Sequence, residues 1–146
     1  MTTNYATIIK DIKNKLKETI KGTTTFATHT YASYIAGGAH KSANPIALIR
    51  VRQDRFSPRG PNLTEGILML EVWVDYLGTH EEDSLDKMID YVGEIVDAIE
   101  ANRTLGSSYV NNTEVNTVDF TFREVSQTAL KHTARIIISV EFLRNI

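Results

Sequence analysis

Four arginines fall within ten residues: Arg50, Arg52, Arg55 and Arg59. A guanidinium is a permanent cation with a planar fork of donors, so such a series suits phosphates or the carboxylates of a protein partner. Only Phe56 adds an aromatic ring among them, and the whole chain carries a net charge of −2 at pH 7. A nucleic-acid module that stacks bases combines several aromatics with an overall basic surface, and this chain does not. The series fits a charged segment that faces a partner or a lumen.

Catalytic vocabulary is sparse. His29, His40, His80 and His132 are far apart, with no pair at metal-ligand spacing on an expected element. Glu81, Glu82 and Asp83 could chelate a hard cation, but three carboxylates at a helix start are explained by the helix dipole alone. Gly37-Gly38 follows no strand in phosphate-loop form, and Ser57, Ser84 and Ser107-Ser108 occupy no nucleophile elbow. If the chain were an enzyme or a ligand-binding domain, His29, His132 and Asp119 would be its polar groups. They share no motif. The expectation is therefore a protein without catalytic residues, cofactor or metal, which acts through its shape.

The bulk properties agree with one domain over residues 1–146. A chain of 146 residues buries roughly two-thirds of its extended surface on folding, and 42% hydrophobic with 23% charged residues is ordinary globular usage. There is no cysteine, so neither disulfides nor thiolate metal sites are available. The longest apolar runs are strand-sized, and no membrane partner is expected. The lysine-rich amphipathic opening lacks the apolar block of a secretory signal. The three Asn-X-Thr sites at Asn62, Asn102 and Asn111 are thus read as chance matches.

The elements that would position the arginines follow from periodicity. Ile8, Ile12, Leu16 and Ile20 form one stripe and predict a helix over 4–21 that stops at Gly22. Residues 23–45 mix threonines, Tyr31 and Tyr34 with Gly37-Gly38 and Pro45 and give no clear element. Alternation predicts strands near 46–52, 67–77, 115–125 and 133–143. Pro58, Gly60 and Pro61 predict a long exposed loop over 53–66. Leu85, Met88, Ile89, Val92, Ile95, Val96 and Ile99 share one face of a helix over 81–101, with Thr79 and Glu82 at capping-box spacing. Val118, Phe120 and Phe122 form an alternating run along the next strand. The fold class is α+β, a mixed, mostly antiparallel sheet of about four to five strands covered by two helices.

The strand at 67–77 has a second face carrying Ile67, Met69 and Trp73 among carboxylates. Such a mixed face suits a subunit interface, with Trp73 as anchor, or else lies under the first helix. Charge is also unevenly placed. Residues 1–61 hold ten Lys/Arg against three Asp/Glu, whereas residues 62–124 hold three against fourteen. Complementary patches of this kind steer head-to-tail association, the contact from which rings are built.

The order PIALIRVRQDRF, loop, ILMLEVWVDYLGTHEEDSLDKMIDYVGEIVDAIEANRTLG, VNTVDFTFREVSQTALKHTARIIISVEFL resembles phage tail terminator (tail-completion) proteins over roughly residues 46–144. It does so through Glu71-Val72-Trp73-Val74, the acidic helix opening, Ala101 to Gly106, and the final strand. The resemblance implies a hexameric ring that caps the head-proximal end of the tail tube and stops its polymerisation. It also implies tail-tube protein and neck or head-completion protein as partners, with sheath protein added in contractile tails. Location would be the neck region of the virion, after assembly in the host cytoplasm. Arg50, Arg52, Arg55 and Arg59 would then face the tube or the channel, meeting DNA phosphates without reading sequence. The alternatives are a head-completion or neck connector, and a small α+β enzyme or ligand-binding domain.

Overall fold

Asn4 starts the first helix, its side-chain oxygen accepting the Thr7 backbone N–H at 3.3 Å, and α1 follows over Tyr5–Lys21. Gly22 ends it by donating its N–H to the Glu18 carbonyl. The computed structural model describes residues 4–26, 30–31, 44–60 and 63–145. His29, His40 and Gly37-Gly38 lie outside the described residues, as does the side chain of Arg59.

Among the described residues five strands form one sheet: β1 (Thr30–Tyr31), β2 (Ile46–Gly60), β3 (Leu63–Gly78), β4 (Val110–Glu124) and β5 (Leu130–Asn145). The order across the sheet is β1-β2-β3-β5-β4, with β1 parallel to β2 and every other pairing antiparallel. This is the mixed, mostly antiparallel α+β sheet read from the sequence. Helix α2 (Glu82–Ala101) connects β3 to β4, and β5 then inserts between them. Since β5 is antiparallel to both neighbours, β3 and β4 run parallel, a split β-α-β arrangement.

The strands are longer than the sequence pattern suggests, and the expected loop over 53–66 is largely strand. Gln53–Gly60 continue β2, and Leu63–Gly66 begin β3, paired through Asp54↔Leu68, Phe56↔Gly66 and Pro58↔Thr64. The punctuating residues misled because β2 is an edge: among the described residues its outer side pairs with β1 only at Ala47 and Leu48. A proline is tolerated on an edge, where a missing N–H breaks no ladder bond. A bulge between Val51 and Gln53 resets the alternation, so that Asp54 and Phe56 turn to the same side as Val51.

Both helices pack on one face of the sheet. Ile8, Ile12, Leu16 and Ile20 of α1 and Met88, Val92, Ile95 and Ile99 of α2 share a core with alternating residues of the central strands. Those include Leu68, Leu70, Val72 and Val74 on β3, and Ile136, Ile138, Val140 and Phe142 on β5. Gly66 stands opposite Phe142, and a Cβ there would run into the phenylalanine ring. Strands of 15 or 16 residues reach up to ~50 Å, whereas 17- and 20-residue helices span only about 25–30 Å. The helices therefore cannot cover the whole face.

Leu85 and Ile89, placed with the helix core from their spacing, are exposed instead, and Phe120 and Phe122 on β4 are exposed as well. The capping box at Thr79 and Glu82 also does not form. The N-cap is Glu81, without a side-chain capping bond, while the Ser84 hydroxyl accepts the Thr79 N–H at 3.2 Å.

Candidate functional site

The odd-numbered residues of β3 and β5 face away from both helices, which settles where Ile67, Met69 and Trp73 stand. They lie on the helix-free face, Ile67 exposed and Met69 and Trp73 half-buried, and α1 does not cover them. Trp73 is the centre of a chain of polar contacts across four strands. Its indole Nε1–H donates to Glu71 Oε2 at 2.8 Å, and Glu71 Oε1 lies 3.5 Å from Arg52 Nε. On the other side the Arg135 guanidinium sits 5.9 Å from the indole ring and donates to Asp119 Oδ2 at 2.9 Å. Arg52, Glu71, Trp73, Arg135 and Asp119 come from β2, β3, β3, β5 and β4 in turn.

An open groove of about 520 Å³ lies beside this chain, lined by Trp73, Val118, Asp119, Phe120, Thr133 and Arg135 among others. Its neighbour below is a second ion cluster, in which Thr133 Oγ1 donates to Asp75 Oδ1 at 3.0 Å and Lys131 Nζ lies 3.8 Å from Asp75 Oδ2. Every charged group here has an opposite partner, so the groove offers recognition through an aromatic surface and paired charges. Sequence reasoning missed this chain because all its contacts but Glu71–Trp73 join residues 16 to 62 apart in sequence. The only signal was the mixed polarity of the second face of each strand.

The four arginines divide. Arg50 and Arg55 are exposed on β2, Arg52 is held by Glu71, and Arg59 belongs to β2 with its side chain outside the described residues. They therefore lie on the arm of a hairpin instead of a loop. Where this arm meets α1, Tyr5 packs on Phe56 in a tilted pair, 5.7 Å between ring centres, and the Arg144 guanidinium lies 5.8 Å from the Tyr5 ring. Asp54 closes this corner with both carboxylate oxygens shut away from solvent. Burial pushes its carboxyl up from the usual range. The Tyr5 hydroxyl and the Arg55 backbone oppose that shift, yet neither makes a hydrogen bond of good geometry to the carboxylate.

The histidines and Asp119 do not assemble into a site. His132 faces the helices from β5, buried, with its Nε2 3.1 Å from Ser84 Oγ and its ring stacked on Tyr76. Burial lowers its pKa from the ordinary 6.5. Asp119 lies on the opposite face of the sheet, paired with Arg135, so the grouping that an enzyme reading would need is not made by these two residues. His80 is exposed near the Ser126 carbonyl and Glu124. Ser107 Oγ donates to Asp11 at 2.6 Å and ties the β4 approach to α1. Among the described residues no group of three or more His, Asp or Glu could hold a metal ion, and the Glu81–Asp83 run flanks Lys87 through Asp83.

Comparison with protein-family models finds no match for this chain, and comparison with curated proteins finds none either.

Proposed function

We propose that the chain is a phage tail terminator, a structural protein whose copies close a hexameric ring on the head-proximal end of the tail tube. The observation that carries this reading is the separation of charge by the sheet order. Helix α2, with seven carboxylates against one lysine, lies over the β4 side, and α1, with five lysines against two carboxylates, lies over the β2 side. The arginines of β2 add to the basic flank. Opposite charges on opposite edges of one subunit cannot satisfy each other within it. They are satisfied when the acidic edge of one copy meets the basic edge of the next, a heterologous contact that closes into a ring.

In this ring the β2–β3 arm, carrying Arg50, Arg52, Arg55 and Arg59, reaches the tube or the DNA channel, where its cations meet phosphate without sequence readout. The helix-free face with Ile67, Met69 and Trp73 is left for a protein neighbour, with the tail-tube and neck proteins as its partners and the virion neck as its location. No step needs a cofactor. The test is co-purification from an infected lysate. A terminator is recovered with tails, whereas recovery with heads alone would assign it to the neck side of the joint. Recovery with neither would overturn both.

A further inference from the structure

The edges that meet in the proposed ring are strand edges with exposed apolar side chains, and this makes the contact more specific than charge alone. Among the described residues β4 pairs only with β5, so its outer edge is open along Val110–Glu124. Bulges interrupt its first half, between Val110 and Asn112 and between Val115 and Thr117, but Val118–Glu124 is regular. Phe120 is 47% exposed and Phe122 is 73% exposed on this stretch. A long, regular, aromatic edge is what a free-standing sheet avoids.

The neighbouring flank of α2 continues the patch. Ser84 sits over His132, whose partner on β4 is Phe122, so the first turns of α2 lie level with the aromatic end of β4. Tyr91 and Glu94 mark the α1 side of the helix through Tyr76 and Thr25. At 100° per residue Leu85 and Ile89 lie on the other flank, together with Glu82 and Glu100, and Leu85 and Ile89 are both exposed. The far edge of the molecule is its complement. Among the described residues β2 has no outer partner beyond Leu48, and it exposes Val51 and Phe56. Asp11 points α1 toward Ser107, which leaves Lys10, Lys13 and Lys17 on the flank away from α2.

We infer that the open stretch of β4 in one copy adds to the open stretch of β2 in the next, extending one antiparallel sheet from subunit to subunit. Direction follows from topology. β2, β3, β5 and β4 alternate, so the two edge strands run oppositely, and two copies presenting the same face must pair antiparallel. Register is constrained as well. Phe120 is level with Ala47 through Ala134 and Val74, where β1 already occupies β2, so the joint is staggered to reach the stretch beyond Leu48 that has no outer partner among the described residues. Stagger of this kind accompanies the strand tilt of closed sheets. The Lys10, Lys13 and Lys17 flank of the incoming α1 then faces Glu82 and Glu100 of α2, above the covered phenylalanines.

This inference rests on the ring reading, and two edge variants separate the two. Phe120→Lys with Phe122→Lys blocks the β4 edge, and Val51→Glu with Arg50→Glu blocks the β2 edge; all four residues are exposed, so circular dichroism and the melting temperature should stay near wild type. Light scattering is recorded for each protein alone and on purified tail tubes. The expected result is a wild-type ring, each blocked variant reduced to the 16.4 kDa monomer, and a mixture of the two variants that stops at a heterodimer through the one remaining pair of good edges. A ring that persists in either folded variant overturns the strand joint and leaves the ring standing. A wild-type chain that never associates, even on tubes, overturns both.

Discussion

Ser84 Oγ stands 3.1 Å from His132 Nε2 beneath the first turn of α2, and both residues are almost wholly buried. The bond couples the start of the helix to β5, and Gly78 makes room for it, since a Cβ there would collide with the Ser84 hydroxyl. Burial favours the neutral imidazole. His132 thus titrates below its ordinary 6.5 in the fold, whereas the unfolded chain takes up a proton near about 6.5. Below that pH the unfolded state binds more protons, so stability is full above it and is lost as pH falls toward the lower folded value. Urea midpoints should therefore drop between about pH 7.5 and about pH 5.5. His132→Gln, which keeps a polar partner for Ser84, should flatten that dependence.

Gly66 is expected to be intolerant of any side chain. Gly66→Ala forces the Phe142 ring out of a packed position, at a cost of roughly 1–3 kcal/mol. Phe142→Leu in the same chain should return part of that loss, and a double-mutant cycle in urea reads the coupling. Strict additivity of the two changes would remove the steric account.

The architecture was legible where pattern and environment agreed. The stripe Ile8, Ile12, Leu16, Ile20 and the parity of Leu68 to Val74 are buried as their spacing implied, because helices and sheet meet there. Phe120, Phe122, Leu85 and Ile89 follow the same periods but are exposed, since periodicity names a face and not how far its cover extends. Pro58 and Gly60 resembled loop residues because an edge strand tolerates what a central strand excludes. The contact of Arg135 with both Trp73 and Asp119 needed register across three strands, and no local spacing encodes that.

Asp54 should oppose the pH trend of His132 in the acid range. Its carboxyl is raised in the fold, so its contribution is present below the ordinary 3.8 and is lost as pH rises through the raised folded value. Asp54→Asn removes a buried carboxylate that lacks a well-formed hydrogen bond. The variant should gain stability at neutral pH, on the order of 1 kcal/mol, measured by urea unfolding. A loss of stability would show that the Tyr5 contact outweighs the burial.

Charge reversal on the hairpin arm tests its role. Arg55→Glu with Arg59→Glu should leave the melting temperature unchanged while joining of tails to heads falls roughly tenfold or more, as follows from losing about 1.4 kcal/mol of contact. Normal infectivity of phage carrying the double variant would remove the arm from the mechanism.

The most direct test of the ring is the mass of the purified protein by light scattering, alone and after mixing with tail-tube protein. The account predicts a species of about 98 kDa, six copies of 16.4 kDa, formed freely or on the tube. A monomer or dimer whose mass is indifferent to tubes would contradict it.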